Sequence, residues 1–176
     1  NKGFEDLRLK ICEKFQKDNK ITTTPDNVIV TSGASEALYD CAQALFEKGD
    51  EVLIQDPGFL SYEAIIRLAE ANPVPVSTPL EDNFKLKADR VNELITPDTK
   101  AIIINSPCNP TGAVIDKKDI KGICELADDH DFMIISDEIY EKIIYGDNKH
   151  YSPGAYTDNV ITLNGFSKTY AMTGLR

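Results

Sequence analysis

Apolar residues along the chain follow two alternating patterns. Short runs rich in Val and Ile ("NVIVTSG", "EVLIQDP", "PVPVSTP", "AIIINSP", "FMIISDE" and "VITLNGF") each end in turn-forming or polar residues and read as six strands. Between most of them, "SEALYDCAQALFEKG", "LSYEAIIRLAEA" and "DKKDIKGICELADDH" carry apolar residues at helical spacing, the last with Asp116 as its N-cap. A further amphipathic helix opens the chain, "GFEDLRLKICEKFQKDN", with Phe4, Leu7, Ile11 and Phe15 on one face. Strand starts recur roughly every 20–30 residues, about what a parallel crossover needs. The pattern predicts an α/β fold, a mostly parallel sheet with helices on both faces. The polar stretch "YGDNKHYSPGAYTDN" is expected to be a loop. With no repeat, low-complexity tract or linker, residues 1–176 read as one domain.

Composition narrows the function. The 176 residues are enough for one sizeable core, and no apolar run approaches the ~18 residues that cross a bilayer. Acidic residues outnumber basic ones 29 to 19, and the basic ones form no stripe, so no nucleic-acid partner is expected. Cys12, Cys41, Cys108 and Cys124 show no CxxC spacing and are expected to be reduced thiols in a cytoplasm. His130 and His150 lack partners at metal-ligand spacing, so no metal is expected. The first residue is not Met, and the chain starts directly in a helix; both ends are read as cut.

Open α/β sheets bind ligands just past the carboxyl ends of their strands. There the sequence places "SGASEAL" after the first strand, "DPGFLSY" after the second, "NSPCNPTG" after the fourth, "SDEIY" at the fifth and "GFSK" after the sixth. Only the third strand ends without such a motif. Singly, each has an ordinary explanation. Gly33, Ala34 and Ser35 make either a tight turn with a serine cap or an anion site at a helix N-terminus. Phe59 is either a core aromatic or a plate for a planar ring. The two X-Pro steps around Asn109 are expected to extend the backbone and project its amide to the sheet edge. Asp137, ending a strongly apolar strand, either caps the next segment or pairs with a buried cation, and Tyr140 can reach the same space. Lys168 is either a solvated loop residue or a Schiff-base nucleophile. Together they place a phosphate nest, an aromatic plate, an amide, an acid and a lysine on one face. A flat aromatic phosphate ester carrying an aldehyde, pyridoxal phosphate, suits every part.

The chain resembles the large domain of class I/II (fold type I) pyridoxal-phosphate-dependent aminotransferases. "NPTG", "SDEIY" and "SKTYAMTGLR" stand in that family's order, with Lys168 31 residues after Asp137 (168 − 137) and Arg176 eight after Lys168 (176 − 168). The wording of "NGFSKTYAMTGLR" and "SDEIYEKIIY" is most similar to prokaryotic aspartate aminotransferases. The resemblance implies that Lys168 anchors the cofactor through a Schiff base and, once freed, shuttles the substrate's Cα proton. It implies that Asp137 keeps the pyridine nitrogen protonated, that Asn109 and Tyr140 bond the phenolic oxygen, and that Phe59 stacks on the ring. Gly33, Ala34 and Ser35, with Ser167 and Arg176, are then the phosphate site.

The implied activity transfers an amino group between an L-amino acid, aspartate first, and a 2-oxo acid such as 2-oxoglutarate, in a cytoplasmic homodimer. Other readings stay open: a fold-type I β-lyase or related cofactor enzyme, or an effector-sensing domain of a transcription regulator. Family members are roughly twice as long, so the resemblance also implies an N-terminal segment and a C-terminal small domain outside residues 1–176. In the family, the residues after the position of Arg176 form an antiparallel strand between the first and sixth strands. Without it, those two strands are expected to face each other across a gap, and residues 1–176 alone are expected to be inactive.

Overall fold

The structure, a computed structural model, describes residues 2–175. Five strands, β1 (Glu51–Asp56), β2 (Asn72–Ser77), β3 (Thr99–Asn105), β4 (Met133–Asp137) and β5 (Val160–Leu163), form one sheet in the order β2-β1-β3-β4-β5. Every neighbouring pair is parallel. Parallel neighbours require crossovers. Helix α3 (Ser61–Leu68) joins β1 to β2, the short α4 (Ala88–Asn92) lies between β2 and β3, and α5 (Lys117–His130) joins β3 to β4. Helices α1 (Glu5–Lys14) and α2 (Ala34–Leu45) precede the sheet.

The near-continuous apolar run of β3 explains the layering, because successive side chains of a strand point to opposite faces. Ala101 and Ile103 join Leu38 and Ala42 of α2 and Tyr62 and Ile66 of α3 in one core. Ile102 and Ile104 join Val91 of α4 and Ile120, Ile123, Cys124 and Ala127 of α5 in the other. Each such aliphatic side chain contributes roughly 1.5–3 kcal/mol on full burial. The sheet is therefore covered on both faces, as the sequence pattern predicts.

The sequence reading needs four corrections. Of the six expected strands, the first does not form. Val28 has extended angles (φ −112°, ψ 128°), and the Val30 N–H bonds only Lys2 O, at 3.0 Å. A strand exists through pairing, and here an apolar cavity of about 600 Å³, lined by Val28, Ile29, Ala37, Cys41, Ile161 and Leu163 among others, separates this segment from β5. The gap expected between the two is present, but only β5 borders it as a strand. Second, Phe4 does not share the buried face of the first helix. It is 86% exposed, whereas Leu7, Ile11 and Phe15 border that cavity. Third, Asp116 stands at the N-cap of α5 without capping it; its carboxylate accepts from Lys85 Nζ at 2.8 Å instead. Fourth, α4 has no periodic signal long enough to read; it is held by the burial of Val91. Among the described residues no helix is long and apolar enough to cross a membrane, and the four cysteines form no disulfide.

Candidate active site

Because all five strands run parallel, the loops that follow them emerge at one edge of the sheet. A cavity of about 200 Å³ opens there, lined by Gly33, Ala34, Ser35, Phe59, Asn109, Asp137, Tyr140, Ser167 and Lys168. These are all nine of the described candidate residues. Arg176 lies outside the described residues. The larger cavity beside α1 holds none of them, so the smaller one is where chemistry is possible. The one strand whose end lacks a motif, β2, is the edge strand farthest from β5.

Gly33 leads into α2 with φ 85° and ψ 170°, a backbone region essentially reserved for glycine. It has no side-chain cap, so the expected serine cap is not the explanation of this turn. The first amides of a helix have no intrahelical partner, and Ala34 and Ser35, at the positive end of a 12-residue helix, line the cavity. An anion is the natural partner there.

Asn109 reaches the site by a different route from the one expected. Both the Ser106–Pro107 and Asn109–Pro110 bonds are cis, and the segment is a turn, not an extended strand. The Gly112 N–H donates to Cys108 O (2.7 Å) and the Cys108 N–H to Ala113 O (2.9 Å). The Asn109 N–H donates to Asn105 Oδ1 (2.7 Å), which ties this turn to the end of β3.

Asp137 ends β4 and is 5% exposed. Its Oδ2 accepts from the Tyr62 hydroxyl (2.7 Å) and its Oδ1 from the Ile139 N–H (3.2 Å). Burial pushes its carboxyl above the ordinary value, against the lowering effect of those two donors, and the neighbouring Glu138 charge pushes the same way as burial. Burial, then the Asp137 charge, in turn pushes the Tyr62 hydroxyl up, so it remains a donor. Among the described residues no cation pairs with Asp137. A buried carboxylate that faces a cavity without a counterion is costly unless a cation arrives from outside the chain.

Lys168 follows β5 in a turn closed by Ala171 N–H to Lys168 O (3.1 Å). Its Nζ lies 5.7 Å from the centroid of the Tyr140 ring, so amine and phenol share one wall. The Thr173 hydroxyl donates to Ser167 O (3.0 Å), closing the same loop over the cavity.

Three polar lining residues were not read from the sequence. Tyr62 sits on the first turn of α3, three residues past Phe59, whose ring it meets edge-on at 5.5 Å. Asn105 pairs in register with Asp137, and its Nδ2 donates to Asp137 O at 2.8 Å. A polar residue closing the run "AIIIN" was the available signal. Thr173 gave none.

Comparison with known proteins agrees with this fold. The family model "Aminotransferase class I and II" matches residues 1–176. The chain is 50% identical, over its whole length and 46% of the relative's, to a probable aspartate aminotransferase of Methanocaldococcus jannaschii. Its fold is similar to that of a Thermus thermophilus aspartate aminotransferase solved with maleate (TM-score 0.97, 42% identity, 99% of this chain and 46% of that one). It is also similar to an aromatic aminotransferase from Pyrococcus horikoshii (TM-score 0.96, 45% identity, 99% and 48%). The chain thus spans just under half the length of the proteins it matches. A match running from the first residue to the last, with relatives this similar, shows that the chain belongs to the class I and II aminotransferases.

Proposed function

We propose that residues 1–176 are the cofactor-binding large domain of a pyridoxal-phosphate-dependent aminotransferase, acting on aspartate and a 2-oxo acid such as 2-oxoglutarate. Members of the family use pyridoxal phosphate. The observation that carries the reading is Asp137, a buried carboxylate with no counterion among the described residues, in a cavity also lined by Lys168 and the first residues of α2. That donor set fits a flat cation with a phosphate tail.

When bound, the cofactor supplies an electron sink for the electrons left at the substrate's Cα after proton loss. Lys168 Nζ would hold the cofactor's aldehyde carbon and, when free, would carry the proton from the substrate's Cα to that same carbon. Asp137 holds the proton on the ring nitrogen, its own carboxylate oriented by Tyr62 and the Ile139 N–H. Tyr140 and Asn109 orient the phenolic oxygen, and Phe59 covers one ring face. The Ala34 and Ser35 amides with Ser167 hold the phosphate, and Arg176 is proposed to join them.

Names borne by relatives support aspartate as donor. The apolar cavity beside β5 supports the expectation of a further strand, since it is the space such a strand would fill. Residues 1–176 alone are therefore proposed to be inactive, and the complete protein to work as a cytoplasmic homodimer. The test is borohydride reduction of the complete protein with pyridoxal phosphate, followed by peptide mapping and a product assay with aspartate and 2-oxoglutarate. A pyridoxyl label on Lys168 and formation of glutamate are expected. A label confined to other lysines would remove Lys168 from its role.

A further inference from the structure

Glu138, the residue after Asp137, does not line the cavity, and nothing in the proposed reaction uses it. It is nevertheless completely buried, at 0% exposure. Its Oε1 accepts from the Ser136 hydroxyl (3.0 Å) and the Ser152 hydroxyl (2.6 Å). Its Oε2 accepts from Asn19 Nδ2 (2.8 Å) and meets His150 Nε2 at 2.9 Å, where the ring nitrogen must donate because a carboxylate only accepts. The Asn19 amide also reaches Glu141 Oε2 (2.6 Å), and Lys14 Nζ pairs with Glu141 Oε1. Four donors fill the acceptor positions of the Glu138 carboxylate.

The donors come from parts of the chain far apart in sequence. Asn19 ends the π-helical turn after α1, Ser136 belongs to β4, and His150 and Ser152 lie in the loop before β5. The Glu138 main chain is fixed as well, its N–H donating to Leu163 O (2.8 Å) and its carbonyl accepting from the Glu141 N–H (3.0 Å). The turn so anchored delivers the Ile139 N–H to Asp137 Oδ1 (3.2 Å). Asp137 is therefore aimed from the cavity side by Tyr62 and from behind by a turn whose anchor is Glu138.

We propose that Glu138 is a positioning residue that acts through Asp137, locking the turn that aims the Asp137 carboxylate at the cofactor's ring nitrogen. This rests on the proposed function above. Glu138→Gln keeps the shape but replaces four charge-assisted bonds by weaker neutral ones, which loosens the turn. A buried network that served stability alone would lower the unfolding midpoint and leave cofactor binding as it was.

The experiment is a double-mutant cycle in the complete protein, read by pyridoxal phosphate titration and by the visible circular dichroism of the bound cofactor. Glu138→Gln is expected to weaken binding roughly tenfold and to change the dichroic band when residue 137 is Asp. In the Asp137→Asn background it is expected to change affinity by less than about threefold, because the group it positions has lost its charge. Ser152→Ala, which removes one donor and keeps the carboxylate, gives the same pattern at smaller size and replaces Glu138→Gln if that variant fails to fold. Equal losses in both backgrounds, or a lowered unfolding midpoint with unchanged affinity, would overturn the positioning role alone. A wild-type protein that binds no pyridoxal phosphate would overturn the proposed function and this inference with it.

Discussion

Asp137→Asn should move stability and function in opposite directions. Burying a carboxylate costs several kcal/mol even after relaxation. The charge-assisted bond from Tyr62 at 2.7 Å returns roughly 1.5–3 kcal/mol, and the longer one from the Ile139 N–H less. Burial is the larger effect, since the carboxyl is held above its ordinary 3.8. A net penalty on the order of 1–3 kcal/mol remains in the cofactor-free protein. Asparagine keeps the acceptor for Ile139 and can donate to the Tyr62 oxygen, so it removes the charge without orphaning either partner.

The sign with pH follows from a folded-state value raised above the unfolded one. The penalty is full above the raised value, shrinks as pH falls through it, and is gone below the ordinary 3.8, where both states are protonated. Urea unfolding of the cofactor-free protein should therefore show Asp137→Asn more stable than wild type at pH 7, with the advantage vanishing in acid. Turnover should fall on the order of 10³-fold or more, because a fixed charge in a water-poor site is hard to replace. An asparagine variant less stable at pH 7, a difference that does not change with pH, or near-normal turnover would refute the reasoning.

Tyr62→Phe removes a short donor to Asp137 and should push that carboxyl further up and weaken pyridoxal phosphate binding about tenfold, as a titration would show; unchanged affinity would make Tyr62 a bystander. Gly33→Ala places a side chain at φ 85° and ψ 170° at a cost of about 1–3 kcal/mol, and should reduce the preference for pyridoxal phosphate over dephosphorylated pyridoxal in competition binding. Burial pushes the Cys124 thiol up to about 12, so alkylation at pH 8 followed by mass spectrometry should leave it unmodified until the protein unfolds.

Much of this molecule was legible because its physics is local. Apolar runs about the length of a strand, separated by stretches of helical period, dictate a parallel sheet, and a parallel sheet sends every strand's following loop to one edge. That is why eight residues scattered from Gly33 to Lys168 could be read as one cluster from the loops alone, Ser167 being added by the family resemblance, and all nine line one cavity. What the sequence could not show depends on partners distant in the chain. Whether "NVIV" becomes a strand is decided by a neighbour across the sheet, and the described residues put a cavity there. Tyr62 reads as an ordinary helix residue until α3 packs on β1 and β2 and its hydroxyl reaches Asp137 at the end of β4. Glu138 reads as one more acid in an acidic chain until Asn19, His150 and Ser152 converge on it. Periodicity records which face a side chain takes, but a buried polar group is matched to its partners only when the chain closes in three dimensions, because unpaired burial is too costly to leave unmatched.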